Sequence, residues 1–179
     1  DLSQPPTVTP VPDFTPPSPT EHTLQNGIKV WIIERPGLPL VSARVVIPGG
    51  SASDPDGAWG TTSLTDEMLE RGSGNRSATE FAREVERLAL DLGAHTTGTA
   101  THVSLDAQVK TLDAGLDLLA DMILRPALAA EDLKRVRDIR IGELTEASDD
   151  AKTVASWTIE QKYFGEGHPL AHPTEGTLS

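Results

Sequence analysis

Gly60-Thr61-Thr62-Ser63-Leu64-Thr65-Asp66-Glu67-Met68-Leu69-Glu70-Arg71-Gly72-Ser73 is the stretch on which the reading of this chain turns. Trp59 to Glu70 reads as one helix, closed by Gly72. Residues four apart stand above one another on a helix, so Ser63 and Glu67 share a face. Asp66 and Glu67 are neighbours in sequence and therefore point in different directions.

Working outward, Glu21 to Glu34 reads as a hairpin around Gln25-Asn26-Gly27, because Asn-Gly suits the positive φ of a tight turn. Leu40 to Ile47 is a β-branched run that suits a buried strand, closed by Pro48-Gly49-Gly50, and Asp54-Pro55-Asp56-Gly57 is loop chemistry. After the central stretch, Ser77 with Glu80 three residues on forms a capping box. Phe81, Val85, Leu88 and Leu92 then give a helical stripe that ends at Gly93. Ala94 to Ala100 and His102 to Val109 read as paired strands. Leu112 to Leu124, with Leu112, Leu116, Leu119 and Ile123 apolar, is a third helix stopped before Pro126. Glu131 to Ala147 is a charged helix with Leu133, Val136, Ile139 and Leu144 as its apolar positions. A fifth helix spans Thr153 to Phe164, and loop follows from Gly167.

Residues 1–19 hold seven of the fourteen prolines and read as an extended linker, one that suggests a preceding folded unit. Length allows one domain over residues 20–179. The net charge of −12 argues against nucleic acid as a partner, and no apolar run is long enough for a membrane-spanning helix. The absence of cysteine excludes disulfides and thiolate metal sites.

The frame of residues 60–73 resembles the zinc helix of the inverzincin peptidases, the M16 or pitrilysin-like family, in which Gly-x-x-His-x-x-Glu-His-Met-Leu-x-x-Gly-Thr is typical. Gly-Gly-Ser-x-x-Asp-Pro at 49–55 and Tyr-Phe-x-x-x-His-Pro at 163–169 are similar family punctuation. The resemblance covers roughly residues 20–179. It implies an α+β, M16 peptidase-like (LuxS/metallopeptidase-type) two-layer lobe, a largely antiparallel sheet packed with helices. Family lobes continue beyond the position of Ser179 into a further helix and strand, so a lobe truncated at its C-terminus, with an unpaired sheet edge, is expected. The resemblance also implies that peptide binds partly by strand addition to a sheet edge, for which residues 41–47 and 94–109 are candidates.

The resemblance also implies a zinc site: two His on one helix face, a Glu between them that activates the metal-bound water, and a third ligand Glu from a later helix. Here Ser63 and Glu67 hold the His positions and Asp66 the Glu position. Ser63 is a poor neutral ligand, Glu67 replaces imidazole with a carboxylate, and Asp66 is one methylene shorter than the usual base. Glu143 stands close to the third-ligand spacing, whereas a second family Glu seven residues earlier falls on Val136. None of His22, His95, His102, His168 and His172 completes an H-x-x-E-H pair; His168 falls where the family has a structural His-Pro. Trp31, Trp59 and Trp157 read as core or interface anchors.

Ser63, Asp66, Glu67 and Glu143 are therefore expected to be a vestigial site with no metal and no cofactor. The resemblance implies a non-catalytic lobe that binds peptide substrate beside a catalytic M16 lobe, fused or separate, with zinc in that partner. One alternative is a hydrolase whose metal site is rebuilt on Glu67, Glu143 and a His brought in by folding; the carboxylates of Asp66, Glu67 and Glu143 could also hold a hard cation. Another is a structural scaffold subunit without proteolytic role. A periplasmic or otherwise extracytoplasmic location is the association that goes with bacterial proteins of this type.

Overall fold

Hydrogen bonds close the Asn26-Gly27 turn first: Leu24 N–H donates to Ile28 O at 2.8 Å, and Gly27 takes φ +86°. The computed structural model describes residues 15–165 and 167–178; most of the expected Pro-rich linker lies outside them. The chain divides into two units, residues 1–38 and 39–179. In the first, β1 (Thr20–Thr23) pairs antiparallel with β2 (Lys29–Ile32), with Glu21 opposite Trp31. The Trp31 indole donates to Glu21 Oε2 at 3.2 Å and stays 59% exposed, so it is no core anchor.

In the second unit, β3 (Leu40–Pro48), β4 (Asp91–Thr96) and β5 (Ala100–Gln108) form an antiparallel sheet in the order β3-β5-β4. Alternation decides which face is covered. Val103, Leu105 and Ala107 of β5 are buried. They stand opposite Val45, Ala43 and Val41 on one side, and Val103 and Leu105 also face Ala94 and Leu92 on the other. Helices α1 (Thr61–Leu69), α2 (Ala78–Arg87) and α3 (Leu112–Leu124) add Leu69, Phe81, Leu88, Leu118, Leu119 and Met122 to the same core. Helices α4 (Ala130–Asp149) and α5 (Ala151–Phe164) follow, α4 packing on α1 and α5 on α4.

Several expectations are corrected. The run 40–47 is the outer strand β3, covered on one face only: Leu40 and Val46 lie on the face away from the core and are 59% and 55% exposed rather than buried. A β-branched run reports strand geometry, and burial depends on which faces of the sheet are covered. Of the edge candidates, β3 and β4 are edges, while β5 is central. The stripe through Phe81 breaks after Leu88: Ala89 turns the backbone at φ +49°, and Leu92 belongs to β4. In α3 the buried face runs through Gly115, Leu118, Leu119 and Met122, leaving Leu116 41% exposed. Gly115 centres that face because a Cβ there would press on Leu90 and Leu105 at 3.2–3.3 Å.

Two loops bring the site into place. Gly50 lets the segment after β3 close on the β4–β5 turn; a Cβ there would lie 2.0 Å from Thr97 O. Ser51 and Ala52 N–H groups donate to Thr97 and Gly98 carbonyls, each at 3.0 Å. Asp54, 7% exposed, then reaches the start of α1: Oδ2 accepts from Gly60 N at 2.8 Å, and Oδ1 from Thr62 N at 2.9 Å and Thr62 Oγ1 at 2.5 Å. It supplies from a distance the acceptors and negative charge that a helix N-terminus lacks. The Ser77–Glu80 capping box forms as its spacing predicts, and Asp150 caps α5 through Thr153 N at 2.8 Å.

Candidate functional site

Helix spacing places Ser63 and Glu67 one turn apart on the face of α1 that meets α4. The residue they meet is Arg140, which the sequence reading did not single out. Its Nη1 donates to Ser63 Oγ at 3.1 Å and to the Glu175 carbonyl at 3.0 Å, and its Nη2 donates to Glu67 Oε1. Its Nε faces Glu143 Oε2 at 3.4 Å, an ion pair without hydrogen-bond alignment. The Arg140 side chain is 10% exposed, Glu67's 32% and Glu143's 62%. Ser63, Glu67 and Glu143 are thus brought together around a guanidinium, with Glu143 lying at the solvent side.

Asp66 goes elsewhere. It is 5% exposed, against the sheet, where the buried Thr96 hydroxyl donates to its Oδ2. Thr101 Oγ1 lies 3.0 Å from that hydroxyl across the β4–β5 pair. Burial raises the Asp66 pKa above the usual aspartate range; the Thr96 hydrogen bond and His95 oppose the rise, and Glu70 and Glu67 add to it. Asp66 is therefore separated from the Ser63–Glu67 face, as neighbours on a helix must be.

Glu70, one turn on, lies along the free edge of β4. Its Oε1 accepts from Ala94 N at 3.1 Å and would sit 3.2 Å from a Cβ on Gly93. A side-chain carboxylate thus occupies an edge amide that would otherwise be open to another strand.

Around Arg140 the C-terminal segment packs closely on α1. Gly60 and Gly176 take φ of +92° and +97°; a Cβ on Gly60 would lie 2.5 Å from Glu175 O, and one on Gly176 would lie 2.3 Å from Trp59 O. Trp59 stacks on His172 at 4.0 Å, which ties the start of α1 to the C-terminal segment. His168 closes its own turn by accepting from Leu170 N at 3.1 Å. A cavity of about 270 Å³ opens beside this segment, with Leu144, Trp157, His172 and Leu178 in its wall.

Zinc does not fit the residues that converge here. The donors are a neutral hydroxyl, a carboxylate already held by a guanidinium, and an exposed carboxylate, with no imidazole or thiolate among them. Among the described residues no group of three or more His, Cys, Asp or Glu is placed to hold a metal ion.

The signal that could have exposed Arg140 is the periodicity of α4. Val136, Arg140 and Leu144 are its buried residues, spaced four apart, whereas the expected Leu133 and Ile139 are 43% and 50% exposed. An arginine inside a buried i, i+4, i+8 stripe needs a partner across the interface.

An uncharacterized zinc protease of Mycobacterium leprae is 24% identical over 156 residues, covering 87% of this chain and 35% of the relative. Subunit 1 of the mitochondrial cytochrome b-c1 complex of Bos taurus is 28% identical over 153 residues, covering 86% and 32% respectively. The chain thus spans about a third of the length of these relatives. The crystal structure of a peptidase M16 inactive domain from Pseudomonas fluorescens shares the fold, with a TM-score of 0.84, 23% identity, and coverage of 89% of this chain and 39% of that one. A protease structure from Helicobacter pylori gives a TM-score of 0.81 at 20% identity, over 90% of this chain and 39% of that one. The family described as Insulinase (Peptidase family M16) matches residues 29–177, most of the chain, and the chain belongs to that family.

Proposed function

We propose that residues 20–179 form part of a non-catalytic M16 lobe that helps enclose and bind peptide for a partner lobe carrying zinc on an intact H-x-x-E-H helix. The observation that carries this reading is the placement of Ser63 and Glu67. They keep the i, i+4 geometry of a ligand pair and present a hydroxyl and a guanidinium-bound carboxylate instead of two imidazoles. A metal-bound water needs ligands that hold the ion and a base beside it. Asp66, at the base position, is turned into the sheet.

On this reading the partner lobe is fused to this chain, with residues 1–19 as the connector, or is a separate subunit. The net charge of −12 would favour basic peptides at the enclosing wall. The test is co-expression with an H-x-x-E-H lobe of the family. Peptide cleavage should need both parts, and basic peptides should be favoured at low salt. Cleavage by this chain alone overturns the proposal, and equal cleavage of basic and acidic peptides at all salt concentrations removes the charge preference.

A second reading, a scaffold without proteolytic role, draws on the similarity to cytochrome b-c1 subunit 1. Co-purification with a zinc-bearing, active partner favours the first reading, and co-purification with inactive assembly subunits favours the second.

A further inference from the structure

Four oxygen groups surround Arg140, and they come from three separate parts of the chain. Ser63 Oγ and Glu67 Oε1 belong to α1, Glu143 Oε2 to α4, and the Glu175 carbonyl to the C-terminal segment. By the resemblance, Ser63 and Glu67 stand at the two His positions of the family's zinc helix, and Glu143 stands close to the spacing of its third ligand. We propose that the Arg140 guanidinium is the resident cation of this site, taking over the cross-linking that a metal ion provides and making the lobe's assembly independent of metal.

The chemistry of the guanidinium suits that task. It carries five N–H donors in a planar fork, so one group can reach acceptors on α1 and on the C-terminal segment while facing a carboxylate on its own helix. It is covalently part of the chain, so no chelator can remove it. Its acceptors are all oxygen, a hard set that contains none of the nitrogen or sulfur donors zinc prefers. The close approach of Trp59-Gly60 to Glu175-Gly176 meets this bond at the Glu175 carbonyl. Both backbones come within a distance that only glycine permits, and the Glu175 carbonyl at that contact is the one Arg140 holds.

Removing the cation strands the carboxylate it neutralises, and a buried or half-buried pair is costly to break from one side.

The experiment is thermal unfolding of the full chain and its variants, with EDTA or with millimolar zinc, manganese or calcium chloride. The wild-type Tm should be unchanged by any of them. Arg140→Ala should lower the Tm by about 10 °C. Added manganese or calcium should restore about 4 °C of that loss at ten times its dissociation constant, by binding the vacated oxygens. The recovery should disappear in Arg140→Ala/Glu67→Gln. If Arg140→Ala does not fold without added ions, Arg140→Lys carries the test: it keeps the charge, loses the fork, unfolds below the wild type and ignores added ions. A wild-type Tm that drops in EDTA or rises with zinc overturns the inference. So does an Arg140→Ala chain as stable as the wild type, or one that no ion restores, and so does an Arg140→Lys chain that responds to ions.

Discussion

Asp54 is the residue whose removal should most sharply expose how the site is positioned. Its two carboxylate oxygens accept three hydrogen bonds, from Gly60 N, Thr62 N and Thr62 Oγ1, in a pocket that leaves it 7% exposed. Asp54→Ala leaves two backbone donors at the N-terminus of α1 without acceptors, and Gly60 N is buried. Loss of a helix cap costs about 0.5–2 kcal/mol, and a hydrogen bond to a charged group about 1.5–3 kcal/mol. The bonds share one carboxylate and do not add in full, so a loss of about 3 kcal/mol is expected, or roughly 10 °C in Tm for a chain of this size. Asp54→Asn keeps one acceptor oxygen and turns an amide toward the other donors, so it should lose about half as much. Urea unfolding followed by circular dichroism, with the m-value unchanged, measures both. An Asp54→Ala chain within about 0.5 kcal/mol of the wild type would show that α1 is held by its packing alone and would refute the remote-cap reasoning.

Leu105 is fully buried where β5 meets α3, and Leu105→Ala should cost about 2–5 kcal/mol in the same urea assay, because neighbouring rigid elements cannot close the gap. Asp66 binds its proton more readily folded than unfolded, so its contribution to stability falls as pH climbs from the ordinary aspartate range through its raised folded value. Asp66→Asn should remove that slope, giving a chain more stable than the wild type at pH 7 and losing the advantage at pH 3; an unchanged pH profile would contradict the burial argument. Glu70→Ala uncovers the Ala94 amide on the β4 edge, and hydrogen exchange at that amide should speed up by about tenfold, with under 1 kcal/mol lost globally.

Much of this fold was legible because local signals coincide with tertiary ones. Asn26-Gly27 turns, Ser77 and Glu80 form their box, and Leu112–Leu124 ends before Pro126 as the residues themselves require. What the sequence could not show was set by neighbours distant along the chain. Leu40–Ile47 reads as buried on both faces until it is known that the helices cover only one. Asp54 reads as loop chemistry, yet its acceptors serve α1, six and eight residues on. At the candidate site the face shared by Ser63 and Glu67 was readable from spacing. Arg140, 73 residues beyond Glu67, was hidden inside an otherwise charged helix whose true buried stripe is Val136-Arg140-Leu144. The approach of Glu175 depends on the C-terminal segment folding back over α1, which no local pattern announces.

Whether the purified chain binds zinc bears most directly on its role. Calorimetric titration, with metal analysis of the dialysed protein, should show no zinc bound at micromolar concentration, because Arg140 already fills the convergence of Ser63, Glu67 and Glu143. One equivalent of tightly held zinc, lost on Glu67→Ala or Glu143→Ala, would contradict the non-catalytic reading and establish a rebuilt metal site.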